Sequence, residues 1–112
     1  MTIRIKNSAI IEKNKDQERE IFKKTLLALI EEEIDPISDR AQSFLKKYYA
    51  NLRKYHHMSQ KNFINMILFH TEHPVLREVY DDLHPKAADF MRAAVQFYEE
   101  DNLKLSQNAH KL

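Results

Sequence analysis

The sequence predicts an all-α domain of about five helices, and three observations carry that expectation. Apolar residues recur at helical spacing in five successive segments, no strand-like segment of consequence separates them, and all three prolines fall where a helix can begin. The 112 residues include no glycine, so helix starts, rather than left-handed glycine stops, are expected to set the order of elements.

Met1 to Asn14 alternates Ile3 and Ile5 with Arg4 and Lys6 and then loses its pattern. It reads as an N-terminal tail over 1–14, with a short edge strand as the alternative. A first amphipathic helix is expected from about Lys15 to Glu33, where Ile21, Phe22, Leu26, Leu29 and Ile30 share one stripe and Lys23, Lys24 and Glu31 to Glu33 face out. Three glutamates at a helix C-terminus oppose its dipole, so that end frays or leans on a neighbouring cation. Asp35-Pro36-Ile37-Ser38 makes a turn: proline disfavours the helical basin at Asp35, and Ser38 is placed to cap the next helix.

That second helix runs to about His56, because Ala41, Leu45, Tyr48, Leu52 and Tyr55 recur on one face. Ser59 caps a third, in which Phe63, Ile64, Met66, Ile67, Leu68 and Phe69 are apolar nearly all round, and this predicts a central position. Pro74 suits the first turn of a short fourth helix with Val75, Leu76, Val79, Tyr80 and Leu83 on its buried face. Pro85 opens a fifth, whose inward stripe is Ala87, Met91, Ala94, Val95 and Tyr98. One helical domain over 15–101 and a polar C-terminal tail over 102–112 complete the expected layout. A chain of this size supports one core.

Without glycine there is no P-loop, dinucleotide-binding turn or nucleophile elbow, and without cysteine there is no disulfide, thiolate zinc site or covalent thiol capture. Of the six histidines, His70 and His73 are three apart, with Glu72 and His84 nearby, but Pro74 breaks the helix that would align them. They read as solvated or capping groups, and no metal or other cofactor is expected. The carboxylates of Glu31 to Glu33, Asp81-Asp82 and Glu99 to Asp101 are adjacent runs that splay around a helix, so none is a desolvated catalytic pair. No nucleophile can be named either, and an enzyme is not expected.

Net charge is +1, from 18 Lys and Arg against 17 Asp and Glu. Between Arg40 and Thr71, however, there is no acidic residue, and Arg40, Lys46, Lys47, Arg53, Lys54 and Lys61 are interleaved with tyrosines. Basic plus aromatic composition is that of a nucleic-acid surface, but Tyr48 and Tyr55 lie on the apolar face. The stretch reads instead as a charged face or a surface for an anionic partner. Nucleic-acid binding is not expected without a separate DNA-binding domain. No apolar run approaches the roughly 18 residues of a membrane span and Met1 to Ile10 lacks a signal peptide's apolar run, so a cytoplasmic protein with no membrane partner is expected.

Aromatic and methionine side chains exceed what five short helices need for packing, and tyrosine plus methionine suits a cleft for a bulky ligand. Tyr48, Tyr49, Leu52, Tyr55, Met58, Phe63, Met66, Ile67, Tyr80 and Met91 are the candidate ligand-binding residues. The alternative is a small helical protein-interaction module or homodimeric adaptor with no small-molecule ligand.

Asp35-Pro36-x-Ser38-x-x-Ala41-Gln42, the pair Tyr48-Tyr49, and Pro85-x-Ala87-Ala88-x-Phe90-Met91-Arg92 together resemble the TipAS-type antibiotic-recognition domain, over about Leu26 to Asp101. That domain usually forms the effector-binding end of MerR-type transcription regulators. The resemblance implies a globin-like antiparallel arrangement enclosing a cleft for large, hydrophobic, peptide-like antibiotics, bordered by the aromatic pair and by the link to the third helix. Met58 falls near the place where thiopeptide-capturing members keep a cysteine, so the resemblance implies reversible binding. The regulators carry a winged helix and a coiled coil upstream, for which Met1 to Lys15 is too short. The expectation is therefore a free-standing domain of the drug-resistance kind, which sequesters its ligand.

Overall fold

The computed structural model describes the backbone of residues 2–110 and the side chains of residues 13–102. Among these residues the protein is all-α, with five helices and no strand: α1 (Thr2–Glu31), α2 (Asp39–Leu52), α3 (Gln60–Glu72), α4 (Pro74–Leu83) and α5 (Ala87–His110).

The starts of α2 to α5 follow the sequence closely. Ser38 and Ser59 sit in extended backbone, and their hydroxyls accept from Ala41 N at 3.3 Å and Asn62 N at 3.1 Å. Pro74 opens α4, and His73 caps it by accepting from Val75 N through Nδ1 at 3.3 Å. Pro85 lies in the turn before α5, where His84 Nδ1 accepts from Lys86 N at 3.0 Å.

Both terminal helices run further than the hydrophobic pattern implies. α1 begins at Thr2, so residues 2–14 are helical, neither a tail nor an edge strand, and α5 continues past Asp101 to His110. Neither segment contains glycine or proline, so a helix nucleated in the packed part propagates outward at little cost. The polarity expected of residues 103–112 concerns side chains outside the described residues.

The end of α1 carries a defined stop even without glycine. Glu33 adopts a left-handed conformation with φ 56°. Its N–H donates to Ile30 O at 3.0 Å, and Ile34 N–H donates to Leu29 O at 3.0 Å. These two bonds define a Schellman motif, in which a glutamate occupies the position that glycine favours. Ile34 then folds back on the core. The acidic end does lean on a cation, since Arg40 pairs with Glu32.

The core is built mainly between α3 and α5, and α5 packs against all four other helices. Phe63, Ile67, Met91, Ala94 and Val95 are fully buried there, joined by Leu26 and Leu29 from α1 and Ala41 and Leu45 from α2. Gln42 ties the assembly together: its buried amide donates to Pro36 O and to Ala94 O, each at 3.0 Å. α3 is not buried all round, because Phe69 is 57% exposed, and the central helix is α5.

Candidate ligand-binding cleft

Three apolar stripes continue past the point where the core is full. Ile21 on α1 and Val79 on α4 belong to stripes that the sequence assigns to buried faces, yet they are 61% and 58% exposed. Both line a cleft of about 580 Å³, a volume suited to a small-molecule ligand.

Helical periodicity sets its walls. From α1 come Phe22, Thr25 and Leu29, from α2 come Phe44, Tyr48 and Asn51, and from α4 come Leu76, Val79, Tyr80 and Leu83; Tyr55 joins them from the turn after α2, which ends at Leu52 rather than near His56. Within each helix these positions lie three or four apart, with Val79 and Tyr80 of α4 adjacent, so each set occupies one face. α1 packs on α2, but neither packs extensively on α4, and the space between them is the cleft. His70 of α3 also reaches the wall.

An aromatic chain joins cleft to core. Phe22 stacks on Phe44 at 5.4 Å and lies 4.3 Å from Tyr48 between ring centroids, and Tyr48 meets Phe63 edge-on at 5.5 Å. Phe63 in turn meets Tyr98 edge-on at 5.9 Å. One edge of Tyr48 is thus held by the core while the rest of the ring serves the cleft.

The polar groups on the walls include both neutral and charged side chains. Burial pushes the Tyr48 hydroxyl above the ordinary tyrosine range. Tyr80 moves the same way, through burial first and then the proximity of Tyr48. Both remain neutral donors at physiological pH, and neither hydroxyl has a hydrogen-bond partner among the described residues. Burial also holds His70 below the ordinary imidazole value, favouring its neutral form. The cleft therefore combines apolar surface with neutral hydrogen-bonding groups and with the charged side chains of Lys15, Glu18, Arg19, Lys23, Arg40 and Lys47 from α1 and α2, which suits binding and orientation of a largely hydrophobic molecule.

Of the ten residues singled out from sequence, Tyr48, Leu52, Tyr55 and Tyr80 line this cleft. The other six lie elsewhere. Phe63, Ile67 and Met91 are fully buried in the core, and Met66 packs against it. Tyr49 points away from the cleft, with its ring 5.0 Å from Phe63, and its hydroxyl donates to Met58 O at 2.9 Å. This bond pins the link to α3, and Met58 itself packs on the core. Adjacent helical residues point about 100° apart, and this turn carries Tyr49 toward Phe63 and the link while Tyr48 stays on the cleft wall. The link to the third helix, residues 53–59, does border the cleft, through Tyr55 and His56.

Sequence reasoning missed Phe22, Phe44, Ile21, Leu76 and Val79 as cleft residues. Their signal was present as helical stripes, but a stripe shows only that a face is apolar.

A family model of the TipAS antibiotic-recognition domain matches residues 6–98, well over half of the chain. The match begins in α1, takes in α2, α3 and α4 whole and ends in α5. No curated protein and no solved structure matches the chain.

Proposed function

The chain belongs to the TipAS antibiotic-recognition domain family, and from that premise we propose that it reversibly holds a bulky hydrophobic, peptide-like antibiotic or similar small molecule between α1, α2 and α4, without chemistry. The observation that carries this reading is the cleft of about 580 Å³ lined by Phe22, Phe44, Tyr48, Leu76, Val79 and Tyr80. Apolar contact supplies most of the affinity, at about 25 cal/mol per Å² buried, and the Tyr48 and Tyr80 hydroxyls orient the ligand. Binding of this kind serves sequestration or effector sensing. No helix among the described residues is long and apolar enough to cross a membrane, and a cytoplasmic site of action belongs to the same proposal.

A panel of peptide-like antibiotics in a thermal-shift assay tests it. At a concentration about 100-fold above Kd, a true ligand adds about 2.7 kcal/mol of stability and raises the midpoint clearly. Val79→Trp, which fills the α4 wall from an exposed position, should abolish that shift while leaving the unliganded midpoint near wild type. The reading fails if no compound shifts the midpoint, or if Val79→Trp shifts as wild type does.

One observation favours a second reading, a protein-interaction module. Phe69 and Val75 are 57% and 64% exposed and lie outside the cleft wall. Sedimentation of wild type against Phe69→Ser distinguishes it: a mass that rises with concentration only in wild type supports a homodimer.

A further inference from the structure

The charge around the cleft is one-sided. Lys15, Arg19 and Lys23 of α1 and Arg40 and Lys47 of α2 reach it, against a single carboxylate, Glu18. The α4 wall contributes no charge: Glu78, Asp81 and Asp82 are absent from the lining. One wall is cationic and the opposite wall is apolar.

Most of these cations are engaged. Arg19 pairs with Asp16 at 3.2 Å, Lys23 with Glu20 at 3.9 Å, and Arg40 with Glu32. Lys15 lies over the Tyr55 ring at 5.5 Å, and Glu18 is taken by Lys54 at 3.4 Å. Lys47 has neither an ion pair nor a hydrogen bond among the described residues. Ser43 and Asn51, one turn before and one turn after it, line the cleft too, and their side chains make no hydrogen bond among the described residues. A hydroxyl, an ammonium and an amide thus form a donor ladder along α2, beside Phe44 and Tyr48. No acidic residue occurs between Arg40 and Thr71 to neutralise it.

We propose that the cleft selects ligands carrying an anionic group on a hydrophobic body, with the anion held at Lys47 between Ser43 and Asn51 and the body against the α4 wall. This inference rests on the cleft-binding reading above and narrows its ligand class. A buried hydrophobe alone would leave the donors of this stripe facing water. A carboxylate or sulfonate gives them charge-assisted hydrogen bonds.

Two fluorescent probes that share an aromatic frame test it on the full chain: 8-anilinonaphthalene-1-sulfonate and its neutral parent N-phenyl-1-naphthylamine. Lys47→Met should lower the ratio of anionic to neutral probe affinity about fivefold, the modest value expected of an exposed charge. Lys47→Arg should keep the wild-type ratio, and the wild-type preference should weaken between about 50 and 200 mM salt. An unchanged ratio in Lys47→Met overturns this inference alone, provided that Val79→Trp weakens both probes. If neither probe binds, or Val79→Trp weakens neither, the cleft-binding reading falls with it.

Discussion

The α3–α5 core and the α1–α2–α4 cleft are made of the same residue types but differ in what faces them. In the core, Phe63 is enclosed by Tyr48, Tyr49 and Tyr98 and fully buried. In the cleft, Phe22, Phe44 and Tyr48 stack among themselves, while Ile21 and Val79 remain mostly exposed. The difference comes from helix spacing: α3 and α5 approach closely, whereas α4 stands apart from α1 and α2. Apolar surface in the first region stabilises the fold; in the second it stays open, and it is there that the proposed ligand binds.

The largest test of this contrast is a pair of truncations. Phe63→Ala should cost about 3–5 kcal/mol, through lost burial and the cavity left behind, whereas Val79→Ala should stay within about 0.5 kcal/mol of wild type. Urea denaturation measures both. Comparable losses would mean that the α4 wall belongs to the core.

A smaller effect of opposite sign is expected where α1 leaves the core. Glu33→Gly should stabilise by about 1 kcal/mol, because a side chain in the left-handed basin costs about 1–2 kcal/mol that glycine avoids, less the greater freedom of glycine when unfolded. A higher denaturation midpoint would verify it. No gain would mean that the Glu33 side chain contributes something the glycine loses.

The smallest expected effect concerns pH. Burial holds His70 below its ordinary value, so its neutral form is favoured in the folded protein. Its contribution is fully present above about pH 6.5, the unfolded value, and is lost as pH falls through the lower folded value. Denaturation at descending pH should therefore show wild type losing stability relative to His70→Asn. Parallel curves would place His70 in open solvent rather than on a desolvated cleft wall.

Helix starts were legible because capping and proline chemistry are local. Ser38 and Ser59 act through hydrogen bonds to backbone three residues on, and Pro74 through its own fixed φ and missing N–H. The outer limits of α1 and α5 were not, because propagation needs only the absence of breakers and leaves no hydrophobic pattern. The stop at Glu33 was hidden for a different reason: a glutamate there is held left-handed by the Schellman bonds and by the packing of Ile34, neither of which its identity announces.

The candidate site divides along the same line. Tyr48, Leu52, Tyr55 and Tyr80 were identifiable as polar-tipped or flanking members of apolar stripes. Separating them from Phe63, Ile67 and Met91 required knowing which helices touch. Gln42 shows the limit from the polar side, since a glutamine beside a capped turn gives no local hint that its amide reaches Ala94, 52 residues away.

By itself, the sequence determined an all-α chain of five helices, where most of them begin, which faces are apolar, and that α2 carries a basic stretch without neutralising carboxylates. Periodicity and capping act within a few residues and need no partner. Only the tertiary structure decided that α5 is the central helix, that α4 stands off from α1 and α2, and that Tyr48 faces the gap while Tyr49 faces the core. Those outcomes depend on distances between helices remote in the chain, and an apolar stripe has the same sequence whether a neighbouring helix or an open cleft lies against it.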